Sequence, residues 1–353
     1  MVCETPKNAV APLLPDRHPQ LDLFICDVSD AILKDVMQHM EHPFYSLSKK
    51  PETRIRTYEH NGNRLEITPS VKGLATIYDK DILIYCISQI MAKLRRGEKV
   101  SRRVRINSHE LLVFTNRGTA GKDYSALSEA IDRLAGTRIS TNIRTGDEEQ
   151  YDNFGLIDAA SLRRQNGFDG RLLWCEVKIS DWVFNAIRHN EVLTLHPDYF
   201  RLRKPLERRV YELARKHCGQ QKEWRISATT LLKKTGSQSK IKEFKRMLRG
   251  LEENNHLPDY EVSLEGDNVV FINRNTLSKK RGVADSDTLV LQEKTLDVAR
   301  KVAPGYDIYA LQQEWLSHWA ASGKPELKSA DAAFIGFCKF RATNRPIFSL
   351  ASA

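Results

Sequence analysis

The stretch RISATTLLKKTGSQSKIKEFKRMLRGLEENN (residues 225–255) decides the fold, because its opening nearly repeats an earlier segment, RINSHELLVFT (residues 105–115). The two segments are offset by 120 residues, which is the size of a domain. A segment that recurs at such an offset predicts a structural repeat. The matching positions are Arg105, Ile106, Leu111, Leu112 and Thr115, which recur as Arg225, Ile226, Leu231, Leu232 and Thr235.

Both copies continue into a longer amphipathic helix, and the apolar residues of the two helices align at an offset of 117 residues. The second copy therefore has the shorter turn before this helix. The shared spacing of three and four residues supports repetition, although unrelated amphipathic helices also have it. The aligned residues are Tyr124, Leu127, Ile131 and Leu134 in the first copy and Ile241, Phe244, Leu248 and Leu251 in the second.

The order of the predicted elements indicates the fold class. Each copy has three helical patterns followed by alternating segments that predict a β-hairpin, which is the order of a winged helix. The helical patterns cover residues 79–97, 107–115 and 121–136 in the first copy and residues 203–219, 227–236 and 237–255 in the second. We therefore predict an α+β protein with two tandem winged-helix domains and a small helical C-terminal segment.

The same patterns predict the domain boundaries. Residues 1–20 are expected to form a flexible N-terminal arm, residues 21–190 the first winged-helix domain and residues 191–275 the second. Residues 276–290 are polar and predict a linker, and residues 291–353 contain the helical C-terminal segment.

Two local patterns precede the first copy. Asn61 and Gly62 lie between two alternating segments and predict a tight β-hairpin, because both residues tolerate the positive φ angles of such a turn. Residues 29–40 have a helical pattern and predict a helix after a short strand.

The overall composition limits the class of partner. The formal net charge of +10 over 353 residues favours a polyanion, and both nucleic acid and an acidic membrane surface fit it. No apolar run approaches the roughly 20 residues of a membrane span, and residues 1–20 lack a secretion-signal pattern. The six cysteines are far apart and form no zinc-ligand pattern. We expect reduced thiols, a cytoplasmic protein, no metal and no cofactor.

The second long helix has the charge pattern of a recognition helix. Within residues 237–251, five basic residues accompany one acidic residue, Glu243. Lysine and arginine neutralise phosphates, while the first residues of such a helix reach base edges, and a glutamine pairs bidentately with adenine. A solvated basic face is the alternative. The candidate DNA contacts are Ser237, Gln238, Ser239, Lys240, Lys242, Lys245, Arg246 and Arg249.

The first copy predicts a weaker DNA contact or a protein contact. The outward residues of its long helix are mixed in charge, which phosphates do not favour. They are Lys122, Asp123, Ser125, Ser128, Glu129, Asp132 and Arg133. We keep Lys122 and Ser125 as candidate contacts, and we add Arg102, Arg103 and Arg105 from a basic segment that is either a backbone contact or a solvated loop.

Patterns of catalytic sites are weak in this sequence. Gly118 and Gly121 are too close together for a phosphate-binding loop, and Asp123 stands where the magnesium-binding Ser or Thr would be. Glu176 and Lys178 are spaced as in the strand half of some metal-dependent nucleases, although alternating polar residues on an edge strand explain them as well. We assign no catalytic residue and expect binding rather than catalysis.

Long stretches of the sequence also resemble a known family. They are MEHPFYSLSKKPETRIRTYEHNGNRLEITPSVKGLATIYDKDILIYCISQIM (residues 40–91), HPDYFRLRKPLERRVYELARKHCG (residues 196–219) and WRISATTLLKKTGS (residues 224–237). These stretches look like the bacterial plasmid replication initiators called replication initiator protein A, over about residues 22–273. The architecture is more distantly similar to the iteron-binding plasmid initiators.

The resemblance implies a protein that binds double-stranded DNA at repeated sites, or iterons, of a plasmid origin. Such a protein promotes opening of adjacent A·T-rich DNA and recruits the host initiator, replicative helicase and primase. In the wider group the second domain is the principal DNA reader, the first contributes to dimerisation, and dimers repress their own gene. The basic second helix and the mixed first helix agree with that division.

The helical C-terminal segment has four aromatic residues that predict a docking element for a helicase or single-stranded DNA, or else a helical cap packed on itself. They are Trp315, Trp319, Phe334 and Phe337.

Two other functions remain open for the whole chain. One is a winged-helix transcriptional repressor, and the other is a metal-dependent nuclease or nicking enzyme that uses Glu176 and Lys178.

Overall fold

The chain is described from a computed structural model. The structure describes residues 11–18, 33–48, 50–60, 62–143, 152–164, 172–275, 291, 293–303, 306, 308–321, 327 and 329–344. The predicted linker at residues 276–290 lies outside these ranges. In chain order the elements are β1 (Lys34–Val36), α1 (Met37–Glu41), β2 (Arg56–His60), β3 (Asn63–Thr68), α2 (Lys80–Arg95), β4 (Arg103–Asn107), α3 (Ser108–Phe114), α4 (Gly121–Gly136), β5 (Arg138–Thr141), β6 (Asp152–Gly155), β7 (Ile157–Arg164), β8 (Leu172–Ile179), α5 (Asp181–Arg188), β9 (Val192–Thr194), a 3-10 helix (Pro197–Arg201), α6 (Pro205–His217), β10 (Glu223–Ser227), α7 (Ala228–Thr235), α8 (Ile241–Asn254), β11 (Tyr260–Glu265), β12 (Asn268–Asn273), α9 (Glu293–Val302), α10 (Ile308–Ala321) and α11 (Ala330–Asn344).

Two winged-helix units follow each other in the chain. The first consists of α2, β4, α3, α4, β7 and β8, and its sheet has the order β4-β8-β7. The second consists of α6, β10, α7, α8, β11 and β12, and its sheet has the corresponding order β10-β12-β11. The predicted fold class is confirmed, and the two units repeat the same element order.

The repeated sequence has the same structural role in both units. Asn107 accepts the N–H groups of the first turn of α3, and Ser227 accepts the N–H of Thr230 in α7, so each short helix begins at a polar cap. At the ends of these helices, Thr115 Oγ1 donates to the carbonyl of Leu111 (2.7 Å) and Thr235 Oγ1 donates to the carbonyl of Leu232 (2.8 Å). The shared threonine therefore satisfies a carbonyl in the last turn.

The first unit carries an additional sheet of order β2-β3-β5-β6. The predicted hairpin at Gly62 is confirmed, since β2 and β3 pair antiparallel around it and Gly62 has a φ of 79°. β5 follows α4 and pairs with both β3 and β6, so this sheet covers one side of the first hydrophobic cluster.

The predicted helix at residues 29–40 is only partly right in its described part, because residues 37–40 are helical and residues 34–36 are not. Residues 34–36 form β1, which pairs antiparallel with β9 of the segment between the two units, and α1 contains only Met37–Glu41. Long-range pairing therefore overrides a local helical pattern here.

A buried charged network joins the two units. The Nζ atom of Lys80, at the start of α2, lies 2.6 Å from a carboxylate oxygen of Asp35 and 2.8 Å from one of Glu212 in α6. All three side chains are completely buried. Burial by itself would raise the pKa of Asp35, but the charge of Lys80 and the contact with His39 outweigh it and lower that pKa.

Two arginines of α6 extend this network. Arg208 pairs with Asp81 of α2 (2.7 Å), and Arg209 pairs with Glu212 (3.1 Å). Arg209 also donates to the carbonyls of Met40 in α1 (2.9 Å) and Lys234 in α7 (2.9 Å). One guanidinium thus links three helices around the second unit, and its burial requires all of these partners.

Residues 11–18 differ from the predicted flexible arm, because they are bound to the first unit and to the 3-10 helix that precedes the second. Leu14 N–H donates to the carbonyl of Arg201 (2.8 Å), and Arg201 Nε donates back to the carbonyl of Leu14 (2.9 Å). At the other end, Arg17 N–H donates to Asn116 Oδ1 (2.8 Å). This backbone pairing fixes a segment whose composition predicts a loose arm.

The predicted helices of the C-terminal segment are present as α9, α10 and α11, which share their own hydrophobic cluster. No helix among the described residues is long and apolar enough to cross a membrane. The cysteines that the structure describes, Cys86, Cys175, Cys218 and Cys338, are buried and free. Burial raises the pKa of Cys338 to about 11, so that thiol stays protonated.

Candidate nucleic-acid interface

The candidate site is the helix-turn-helix formed by α7 and α8. α7 ends at Gly236, whose φ is 69°. A Cβ atom on Gly236 would lie 2.6 Å from the Cβ of Pro43. Gly236 is therefore required for both the left-handed backbone and the close approach of this turn to the first unit.

The core side of α8 fixes which face points outward. Phe244, Leu248 and Leu251 are buried, and each contributes about 1.5–3 kcal/mol by leaving water. Ile241 was predicted to belong to this apolar stripe, but it is 38% exposed. The predicted helix begins too early, since Lys240 caps α8 and Ile241 is its first residue.

The outward side of α8 is basic over its first three turns. Lys242, Arg246 and Arg249 are exposed and lie on one face, because they are spaced four and three residues apart. Lys240 is exposed at the cap. Arg246 donates from Nε to Glu243 (2.9 Å), and this hydrogen bond raises the pKa of the guanidinium. The first-turn N–H groups of a helix also favour anions, so this end of α8 attracts phosphate.

Lys245 links the recognition helix to the hairpin of the same unit. Its Nζ atom pairs with Asp267, which lies in the turn between β11 and β12. This contact lowers the pKa of the Asp267 carboxyl, whose side chain is 88% exposed. A phosphate would have to replace that exposed carboxylate, which solvent-exposed ion pairs readily allow.

The three predicted base-reading residues lie in the turn before α8. Ser237 and Ser239 are half-buried, and their N–H groups donate to Thr235 Oγ1 (3.4 Å) and Ser237 Oγ (3.3 Å), respectively. Gln238 is exposed, and its Nε2 donates weakly to the carbonyl of Gly236 (3.5 Å). Gln238 is thus the residue of this set whose side chain is most accessible to a base.

The corresponding helix of the first unit has a different charge. Lys122 and Ser125 are exposed on α4, as the sequence predicts for contacts. Arg133, predicted to point outward, instead pairs with Asp79 through two contacts of 2.8 and 2.9 Å. At the 117-residue offset, Ser125, Ser128, Glu129 and Asp132 take the positions of Lys242, Lys245, Arg246 and Arg249. The second unit alone therefore presents a basic helix.

The three arginines predicted near β4 have separate environments. Arg102 pairs with both Asp158 and Asp181 at 2.8 Å, so its charge is already compensated. Arg103 pairs with Glu176 at 2.7 Å. Arg105 is exposed, and its Cζ lies 4.2 Å from the ring centroid of Trp174.

The strand with Glu176 and Lys178 is not an edge strand, as one interpretation of the sequence supposed. It is β8, the central strand of its sheet. Glu176 pairs with Arg103, and Lys178 lies 3.7 Å from Asp158. Within the described ranges, no three His, Cys, Asp or Glu side chains are grouped as metal ligands.

The aromatic residues of the C-terminal segment fall into two groups. Trp315 and Phe334 are buried against each other, with ring centroids 5.5 Å apart. The prediction that these two side chains bind a partner is not supported, since α9–α11 pack on themselves through them. Trp319 and Phe337 are only half-buried and keep some accessible surface.

Sequence reasoning missed the joining role of Lys80, Arg208 and Arg209. Arginines and lysines in a basic chain are usually exposed, so the residue types alone do not indicate that these three side chains are buried. Their positions give no signal either, because α6 is rich in charged residues and only the folded chain shows that Arg208 and Arg209 are buried.

The fold and site define a protein with tandem winged helices, one of which presents a basic recognition helix. The family model of replication initiator protein A matches residues 34–262. A curated "Putative replication protein" of Wigglesworthia glossinidia brevipalpis is 36% identical over 258 residues, which are 72% of this chain and 94% of that protein. The chain belongs to the replication initiator protein A family, and it acts in the initiation of replication.

Solved structures of domains 2 and 3 of RctB are also similar to this chain. A selenomethionine derivative is 14% identical with a TM-score of 0.49, over 67% of this chain and 98% of that one. A second structure of these domains is 15% identical with a TM-score of 0.46, over 68% of this chain and 98% of that one.

Proposed function

We propose that this replication initiator binds repeated duplex sites at a plasmid origin, with α8 in the major groove. The observation that carries the proposal is the exposed basic face of α8, placed behind the accessible amide of Gln238. Lys242, Arg246 and Arg249 set affinity through phosphates, and Gln238 influences sequence choice. Lys245 joins them when a phosphate displaces Asp267.

The first unit has a supporting role in this proposal. Its helix α4 offers Lys122 and Ser125 for a lighter contact, and its surface contributes to dimerisation. Bound copies promote opening of adjacent A·T-rich DNA and recruit host replication proteins, with Trp319 and Phe337 as the accessible aromatic contacts of the C-terminal segment. The protein binds and remodels DNA and catalyses no reaction of its own.

The first experiment is nuclease protection on the DNA that flanks the protein's own gene, at near-physiological salt. A row of protected direct repeats beside an A·T-rich segment is the expected result. Protection of one inverted repeat over the promoter, with none elsewhere, would identify a repressor instead. Incubation with supercoiled DNA and Mg²⁺ tests the nuclease alternative, because a binding protein leaves the circle closed.

A substitution then tests the recognition helix. Lys242→Ala should weaken binding to all sequences and reduce the slope of log K against log salt by about 0.9, since one phosphate contact is lost. Lys339→Ala, an exposed lysine of α11, is the matched control and should leave the slope unchanged. An unchanged slope for Lys242→Ala would remove α8 from the phosphate contacts. Gln238→Ala should alter base preference with little effect on the slope.

A further inference from the structure

The outer face of the first winged-helix sheet has an unusual composition. In the strands β4, β8 and β7, alternate residues are buried against the helices, and the others point away from the core. Strand register places the outward residues in three rows. The rows are Arg103, Lys178 and Ala159, then Arg105, Glu176 and Ser161, then Asn107, Trp174 and Arg163.

Positive charge and one aromatic ring dominate this face. It has four cationic side chains and one carboxylate, Glu176, which pairs with Arg103 (2.7 Å). Lys178 lies 3.7 Å from Asp158 beside the face, so the positive charge that no described carboxylate pairs with is that of Arg105 and Arg163. The guanidinium carbons of Arg105 and Arg163 lie 4.2 and 5.7 Å from the ring centroid of Trp174. Arg105 forms no ion pair with any residue that the structure describes. The half-buried indole and the two arginines lie together at the hairpin end of the sheet.

The second unit shows that the fold does not require such a face. At the corresponding register positions of β10, β12 and β11, the charged residues are three carboxylates and one arginine. The carboxylates are Glu223, Glu261 and Glu265, and the arginine is Arg225. Arg225 pairs with Glu223 (3.1 Å) and Glu265 (2.8 Å), so its charge is compensated. The repeated residues Arg105 and Arg225 therefore lie on faces of opposite charge.

We infer that the outer face of β4, β8 and β7 binds single-stranded DNA. A single strand combines phosphates with exposed base faces, and it needs cations and planar groups on one open surface. This sheet supplies both, because Arg105 and Trp174 form a stacking surface and Arg103, Arg163 and Lys178 surround it. Duplex DNA hides its base faces and would leave the stacking surface unused.

The dimensions of the face also suit a short run of nucleotides. Neighbouring strands lie about 4.8 Å apart, and successive outward residues of a strand are about 6.6 Å apart. The A·T-rich DNA opened at an origin is a source of such a strand. The inference rests on the proposed function only for this source. Strand capture by the first unit would then accompany duplex binding by the second.

The experiment measures binding of a fluorescent oligothymidine and of a duplex with the protected repeat, each to the full chain. Trp174→Ala should weaken oligothymidine binding about tenfold, since a base loses its stacking partner. Arg105→Ala should weaken it as well and lower the salt slope by about 0.7. Arg225→Ala, the same residue in the second unit, is the matched control and should change neither. Repeat binding should stay unchanged in Trp174→Ala and Arg225→Ala, neither of which removes a candidate duplex contact.

Several outcomes would overturn the inference. Equal weakening of duplex and oligothymidine binding would make the face a duplex contact. Unchanged oligothymidine binding in Arg105→Ala and Trp174→Ala would exclude the face as its site. Loss of self-association in sedimentation, with oligothymidine binding intact, would make it a contact for the acidic face of a second copy. Trp174→Phe keeps an aromatic ring and should retain most of the affinity, which separates stacking from misfolding. If the wild type binds oligothymidine but not the repeat, the proposed duplex function fails while this inference stands.

Discussion

Replacing Lys80 by methionine should destabilise the junction between the two winged-helix units. Methionine keeps the apolar stem but removes the charge that lies 2.6 Å from Asp35 and 2.8 Å from Glu212. Removing one partner of a buried ion pair costs about 3–5 kcal/mol. Glu212 keeps the Tyr199 hydroxyl at 2.6 Å and Arg209 at 3.1 Å, so most of the cost falls on Asp35. We therefore expect a loss of about 3 kcal/mol, at the lower end of that range.

The assay is urea unfolding followed by circular dichroism, with Lys93→Met as the control. Lys93 is an exposed lysine of the same helix, and its replacement should change the free energy of unfolding by at most about 0.5 kcal/mol. The loss in Lys80→Met should also shrink as the pH falls from about 7 to 5. Without Lys80, burial raises the pKa of Asp35, and protonation removes the unpaired charge. A loss below about 1 kcal/mol, or an equal loss in Lys93→Met, would refute the role given to this network.

The stability of the wild-type protein also depends on pH through Asp35. The pKa of Asp35 is lowered in the folded chain, so its stabilisation is present above the unfolded value of about 3.9 and is lost as the pH falls through the lower folded value. That loss lies below the range between pH 5 and 7. The shrinking difference between variant and wild type in this range therefore reports two groups that Lys80 influences, the carboxyl of Asp35 and the imidazole of His39, whose pKa the charge of Lys80 helps to lower.

Three further changes test other parts of the structure. Gly236→Ala should destabilise by at least about 1–2 kcal/mol in thermal unfolding, because φ is positive and Pro43 is too close, whereas Gly250→Ala in open space on α8 should stabilise by about 0.5–1 kcal/mol. Burial of His39 lowers its pKa, because it outweighs the opposing effect of Asp35. The free energy of unfolding should therefore decrease as the pH falls below about 6.5, by up to about 1.4 kcal/mol per pH unit. Unfolding measured across that range should show a smaller decrease in His39→Gln. Phe334→Ala should lower the unfolding free energy of the C-terminal segment by about 3–5 kcal/mol, while Phe340→Ala, at an exposed position, should change it by about 0.5 kcal/mol or less.

The fold class could be predicted from the sequence because local signals agreed with the tertiary structure. The caps Asn107 and Ser227, the helix start at Pro205 and the turn at Gly62 each specify an element boundary without help from distant residues. The repeat then fixed the order of those elements. β1 could not be predicted in this way, because its strand conformation depends on β9, which lies far along the chain.

The charged residues of the candidate site could be predicted only where they lie on the exposed face of a helix. Lys242 and Arg249 are where the periodicity of α8 places them. Arg133 and Arg102 are not available, since each turns toward carboxylates that are distant in sequence. Periodicity indicates which face of a helix a residue occupies, but only the folded chain shows whether a counter-charge already lies beside it.

The pairing of β1 with β9 has a consequence for synthesis on the ribosome. Lys34 pairs with Thr194, so β1 must wait until residues about 160 positions later have been made. At about 5–20 residues per second, that delay is roughly 10–30 s. During this time β9 and Glu212, which later bury Lys34 and Asp35, have not yet been synthesised. A chaperone that shields this segment, or a pause in translation after β9, would therefore affect the yield of folded initiator more than the same event in the second unit.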